Sequence, residues 1–364
     1  MTTDRTRNQK IRTQRALPEM PALDGIRAIS VAMVFAVHAF PDAGFPGGLG
    51  VDIFFVISGF LITKILLKEI DRHGRIRLSR FYARRALRLY PALIVTVLLF
   101  AALFPWTNAS PVEAAGGSII ALAYLGNIVT TLTDLGLGYL SHTWSLAMEE
   151  QFYLLWPVAL LLMVRAKMSR FRIAMITGAF AVASLTGWLL TGDDLPYNPL
   201  TKAGGLLAGC VLALVLDRKP WESKLWAWAG VAVFALAFAG DTVGALQFDI
   251  TPIAIVAVLP VIAHLASGSG VMVNALSLRP LTYAGLISYE IYLMHYPVLW
   301  ILHGNTSWPN WTSAGVALLI TLALSAASHR FVADPVMTWR DRRFQEKASS
   351  PPVAIPEGET TRLG

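Results

Sequence analysis

The sequence predicts an all-α, polytopic integral membrane protein of about ten transmembrane helices, with both termini cytoplasmic. Three observations predict it. Of the 364 residues, 55% are hydrophobic and only 15% charged, whereas a soluble domain carries about a quarter charged residues. Apolar runs long enough for a helix to cross a hydrocarbon core of about 30 Å recur from one end of the chain to the other. Lys and Arg gather in alternate loops between those runs, the pattern that sets orientation in a bilayer. Lipid satisfies no backbone polar group, so each run must be helical. A membrane β-barrel would instead show short segments of alternating polarity.

The apolar stretches lie at 22–40, 49–67, 89–106, 114–132, 144–164, 173–191, 199–216, 225–240, 251–266, 281–302 and 313–332. Residues 1–20 form a basic segment, with Arg5, Arg7, Lys10, Arg12 and Arg15, and are expected in the cytoplasm. No cleavable leader is expected, because the first apolar run carries Arg27 and His38. Loop 41–48 has no Lys or Arg and is expected outside, while loop 68–88 has eight and is expected inside. If 114–132 spanned, Arg165, Lys167, Arg170 and Arg172 would fall outside. If it is re-entrant or lies on the outer surface, with Gly116 and Gly117 at its start, those residues fall inside. Asp193 and Asp194 then fall outside, and Arg218, Lys219, Lys224 and Arg279 inside, with the tail residues Arg340, Arg342, Arg343 and Lys347. The second assignment is the expectation adopted. A transmembrane domain over 21–340 is followed by a disordered cytoplasmic tail over 341–364, rich in Ser, Pro, Gly and Glu from about Ala348. The single cysteine, Cys210, sits in an apolar run. It excludes an intrachain disulfide or a cysteine metal site and is expected only to pack. No metal is expected, and the net charge of +7 reports topology rather than nucleic-acid binding.

A charged side chain in hydrocarbon is costly, so each one within a span is a candidate functional residue. These are Arg27, His38, Asp52, Glu149, Glu150, Lys202, Glu290 and His295. Lys64, His264, His329 and Arg330 sit near span ends, where they are expected to reach the headgroups. Arg27 and His38 are eleven residues apart, about three helical turns, so they share a face and lie about 16 Å apart along the axis. A fixed cation at one end and an imidazole at the other suit an elongated anionic donor whose reactive end lies at His38; a snorkelling Arg and a helix-contact His are the alternative. Arg77, Arg80, Arg84 and Arg88 follow helical spacing, with Arg85 beside them. Clustered guanidiniums suit phosphate or anchor the chain on anionic lipid. Glu149 sits about 8 Å into its span, at a depth where it could orient His38 as a general base; solvation near the interface is the alternative. Ser145 lies on the face of Glu149. Ser288, Tyr292 and His295 share a face and form either a hydroxyl-rich acceptor surface or interhelical hydrogen bonds.

Five blocks in order resemble the acyltransferase 3 family of membrane O-acyltransferases. They are Leu23-Asp24-Gly25-Ile26-Arg27 with His38 eleven positions on, Gly48 to Ile62, Arg85-x-x-Arg88, His142 to Leu146 with Glu149 to Tyr153, and Gly285, Ser288, Tyr289, Tyr292, His295 and Pro297. The resemblance implies a multi-pass protein of the bacterial cytoplasmic (inner) membrane. It implies acyl transfer from acyl-coenzyme A, commonly acetyl-coenzyme A, as a co-substrate with no permanently bound cofactor. The acceptor it implies is a hydroxyl of a glycan or its precursor. On that reading His38 is catalytic with Glu149, and Arg27, Arg84, Arg85 and Arg88 hold the donor. Asp52, Ser145, Ser288, Tyr292 and His295 meet the acceptor. Direct attack with His38 as base and a covalent acyl-His intermediate both remain open. A transporter or flippase of a lipid-linked glycan is the rival class, although no inverted repeat is visible.

Overall fold

A computed structural model describes residues 20–106, 110–133, 137–191, 197–217, 223–246 and 248–349, with side chains to residue 344. The expected basic N-terminal segment, the loop with Asp193 and Asp194, Arg218 and Lys219, and the chain beyond 349 lie outside these residues. The described residues form helices and turns without a strand. In order, the helices are α1 (Pro21–Ala39), α2 (Gly48–His73), α3 (Leu78–Ala102), α4 (Pro111–Leu122), α5 (Gly126–Leu132), α6 (Trp144–Arg165), α7 (Arg170–Thr191) and α8 (Pro199–Lys202). They continue as α9 (Gly204–Val215), α10 (Lys224–Thr242), α11 (Thr251–Ser267), α12 (Val271–Leu276), α13 (Arg279–Leu286), α14 (Ser288–Asn305), α15 (Asn310–Ser328) and α16 (Asp334–Ser349).

Among the described residues, seven helical stretches are long and apolar enough to cross a membrane: Pro21–Ala39, Gly48–His73, Leu78–Ala102, Gly138–Arg165, Arg170–Thr191, Lys224–Thr242 and Asn310–Phe344. Three further expected spans are shorter or broken. The 199–216 stretch divides at Ala203 into α8 and α9, directly after Lys202. The 251–266 stretch is a single helix of 17 residues. The 281–302 stretch divides at Ile287 into α13 and α14, and α14 carries Glu290 and His295. The large apolar side chains of α7 and α10 that point away from the bundle, such as Phe180, Leu190, Leu225 and Leu236, are exposed, as lipid-facing surfaces require.

The 114–132 segment is two helices. A capping box between Ser110 and Glu113 starts α4. The 12-residue α4 is about 18 Å long, too short for the hydrocarbon core. Tyr124 then takes a left-handed φ of 53° and α5 begins anew. The segment therefore does not make one continuous crossing, in line with a re-entrant or surface element.

Contacts sort the chain into two ends. Asn305 Nδ2 donates to the Trp106 carbonyl at 2.8 Å, Phe45 stacks on Phe238 at 6.5 Å, and Trp188 Nε1 donates to Asp249 at 2.6 Å. These join the loops near His38. At the other end Arg170 pairs with Asp71 and Asp217, and Lys64 donates to the Leu216 carbonyl at 2.9 Å.

The C-terminal region departs from expectation. A π-helical turn over His329–Ala333 separates α15 from α16, and α16 continues to Ser349, so the expected disordered tail is helical over 341–349. Phe344 lies against Arg80 and Arg84, and Asp341 pairs with Arg84, so this stretch packs on α3 rather than remaining solvated. His329, expected to reach headgroups, instead pairs with buried Glu290 at 2.9 Å, and His264 is buried.

Candidate active site

His38 occupies the last turn of α1, and α14 brings His295 beside it. His38 Nδ1 lies 2.8 Å from the Val34 carbonyl and 3.2 Å from His295 Nε2. His295 Nδ1 lies 2.6 Å from the Tyr292 carbonyl. The 3-10 turn before α6 adds His142, whose ring stacks on Tyr296 at 5.1 Å and meets His295 edge-on at 5.3 Å. Tyr296 also packs against His38 at 4.9 Å. Tyr292 Oη donates to the His142 carbonyl at 2.5 Å. Its single proton is thereby used, so Ser145 Oγ, 2.7 Å away, donates to the Tyr292 oxygen. Three imidazoles, two tyrosines and a serine thus surround one point near the end of α1. His38 keeps partial exposure, whereas His142 and His295 are buried.

Deeper in the bundle, a second cluster carries charge. Arg85 Nε and Nη2 donate to Glu150 at 2.9 and 2.6 Å, and the guanidinium lies 3.1 Å from the Tyr153 ring centre. Glu149 lies 3.6 Å from Arg85 and accepts from Tyr153 Oη at 2.6 Å and from Ser58 Oγ. Arg88 lies close enough to feel repulsion from Arg27 and Arg85 and attraction from Glu149, yet it retains exposed surface. Arg27 meets Asp24 at 3.6 Å, with its side chain 16% exposed. The most enclosed of these charges, Arg85, Glu149 and Glu150, are paired with one another, as burial of charge requires, while Arg27 and Arg88 keep accessible surface.

This geometry revises several sequence expectations. Glu149 makes its contacts with Arg85, Ser58 and Tyr153, about one helical turn below Ser145, and none of those contacts is with His38. It belongs to the arginine cluster, and His38 is held instead by His295 and the Val34 carbonyl. Arg84 does not join Arg85 and Arg88. Adjacent residues on a helix diverge by about 100°, so Arg84 faces α16, 3.6 Å from Asp341 and 5.4 Å from the Phe344 ring. Arg80 meets the same ring at 5.5 Å. Of the acceptor residues, Ser145, Tyr292 and His295 converge on His38. Ser288 is buried with an unpartnered hydroxyl. Asp52 is buried with one unpartnered oxygen and faces Lys202 and Asp249 in a separate cluster. His142, Tyr296, Ser58 and Tyr153 were not singled out from the sequence. His142, Ser58 and Tyr153 each fall within one of the five motif blocks, which was the available signal, whereas Tyr296 becomes legible only once helices pack.

The fold and these two clusters define a multi-pass α-helical protein with imidazoles and paired charges gathered among its helices. The chain belongs to the acyltransferase 3 family, whose profile, described as an acyltransferase domain, matches residues 20–330. It is similar to the peptidoglycan O-acetyltransferase OatA of Listeria monocytogenes, 30% identical over 348 residues, 87% of this chain and 56% of that protein. It is similar also to the O-acetyltransferase OatA of Staphylococcus aureus, 30% identical over 368 residues, 92% of this chain and 59% of that protein. The chain thus spans little more than half the length of these relatives. No solved structure matches it.

Proposed function

We propose that this chain transfers an acyl group, acetyl by the names of its relatives, from acyl-coenzyme A to a hydroxyl of a glycan. The donor enters from the basic, cytoplasmic end of a ten-span bundle in a bacterial cytoplasmic membrane, and the acceptor meets it at the His38 end. The observation that carries this reading is that Arg27 and His38, both partly exposed, share one helix within the family-matched region, with Arg88 near Arg27. Arg27 and His38 lie about 16 Å apart along α1, a span that an extended pantetheine arm covers. Arg88 is the guanidinium for a donor phosphate, because Arg85 is already neutralised by two carboxylates. The thioester then lies beside His38, whose imidazole takes the proton of the attacking hydroxyl.

The test is turnover of acetyl-coenzyme A with a glycan acceptor by purified protein, per folded molecule, with donor binding measured in parallel. His38→Ala is expected to keep donor binding and lose turnover by about 100-fold or more, the usual weight of general-base catalysis. Near-normal turnover would remove His38 from the chemistry. A wild-type protein that neither binds nor consumes acyl-coenzyme A would remove the donor assignment.

A further inference from the structure

His38 and His295 meet through specific nitrogens, and those contacts fix which ones carry protons. His38 Nδ1 faces the Val34 carbonyl at 2.8 Å, and His295 Nδ1 faces the Tyr292 carbonyl at 2.6 Å. A carbonyl oxygen only accepts, so in each neutral ring the proton sits on Nδ1 and the lone pair on Nε2. The lone pair of His295 Nε2 is then 3.2 Å from the N–H of His38 Nδ1, which it shares with the Val34 carbonyl. His38 Nε2, with its own lone pair, is the ring nitrogen left without a protein partner among the described residues.

We propose that His295 is the positioning residue for His38 in acyl transfer. This rests on the reading of the site as an acyltransferase. His295 accepts from His38 Nδ1–H, holds the ring so that Nε2 faces the reaction, and takes up the stronger hydrogen bond that forms when His38 becomes an imidazolium. It does with a neutral lone pair what a carboxylate does in a Ser-His-Asp arrangement. In the transfer, the acceptor hydroxyl oxygen bonds to the thioester carbonyl carbon and its proton passes to His38 Nε2. The carbon–sulfur bond then breaks, and the departing thiolate takes that proton, leaving ester, free thiol and neutral His38. His295 is suited to an acceptor's role because it is itself immobile. It is fully buried, is held by the Tyr292 carbonyl, and is walled by Phe35 and His142 at ring distances of 6.4 and 5.3 Å. Tyr292, whose carbonyl fixes it, is anchored in turn by its hydroxyl to Ser145 and the His142 carbonyl.

Two measurements test this, and one needs no substrate. In protein carrying 15N-labelled histidine, with signals assigned by difference from His38→Gln and His295→Gln, both rings are expected to show protonated Nδ1 and bare Nε2. A protonated Nε2 on His295 would overturn the proposal, since that atom could not then accept from His38. In the second, His295→Phe keeps an aromatic ring and removes the lone pair, and His295→Gln restores an acceptor. His295→Phe is expected to lower kcat by roughly 10- to 1000-fold, below the full effect of losing the base, with the donor KM within about 2-fold of wild type. His295→Gln should recover part of kcat. A packing role predicts the opposite, a lowered thermal midpoint for both variants with kcat per folded molecule retained. If His38→Ala abolishes turnover while His295→Phe does not, this inference fails and the acyltransferase reading stands. If His38→Ala is active, the acyltransferase site itself fails.

Discussion

Arg85 and Arg88 sit one turn apart on α3 and belong to the same motif, yet their surroundings assign them different work. Arg85 is bound by Glu150 through two nitrogens and lies against Tyr153, with Glu149 within 3.6 Å. Its side chain is 17% exposed, so removing it leaves two poorly solvated carboxylates without a counterion. Arg85→Ala is therefore expected to lower the thermal midpoint and folded yield, at a cost of about 3–5 kcal/mol for a broken buried pair. Among the described residues Arg88 makes no such pair, and it remains exposed. Arg88→Ala should leave stability near wild type and raise the donor KM. A charged hydrogen bond is worth about 1.5–3 kcal/mol, which is roughly 10- to 100-fold in affinity. Thermal melting and coenzyme A titration of the two variants separate the roles; equal loss of stability in both would show that Arg88 is also structural.

Close helix contact explains why α2 and α9 form the centre of the bundle. A Cβ at Gly209 would stand 2.1 Å from the Val56 carbonyl oxygen, and one at Gly59 would stand 1.9 Å from that of Leu206. Small residues let the two backbones touch, as in packed membrane helices generally. Gly209→Val is thus expected to lower the thermal midpoint in detergent, since overpacking costs about 1–3 kcal/mol or more. Gly116→Ala, where nothing lies within 4 Å, should be neutral or stabilising by about 0.5–1 kcal/mol. The apolar runs that became α1, α2, α6 and α7 were legible in the sequence because length and hydropathy alone dictate them. The breaks at Ala203, Tyr124 and Ile287 were not, because tertiary packing sets them and an apolar composition continues across each. The site divided the same way. His38, Arg88 and His295 stood out as costly charges or imidazoles within spans. The partner of Glu149 depends on the rotation of α6 against α3, which spacing along one helix does not encode.

At the scale of the whole molecule, membrane orientation follows from charge and packing together. Arg170 lies with Asp71 and Asp217, beside the basic turn between α2 and α3. The end of α10 lies with the loop after α1, through Phe45 and Phe238. α3 and α6 meet at the His38 end through α4, α5 and the turn over Gly138–Thr143, with Gly117 against the Leu137 backbone. This packing accords with the expectation from Lys and Arg placement that 114–132 does not cross to the basic end. Ten crossings with both termini cytoplasmic require exposed Asp42 and Ala245 to face outward, and exposed Ala166 and Ser269 to face the cytoplasm. Single cysteines at these four positions are expected to react with an impermeant maleimide on intact cells only at 42 and 245. The remaining two should react after the membrane is permeabilised. The native Cys210 is fully buried and supplies little background. Reaction at 166 from outside, with 42 also outside, would mean that 114–132 crosses the bilayer. The orientation assigned from α6 onward, and with it the ten-span count, would then fail.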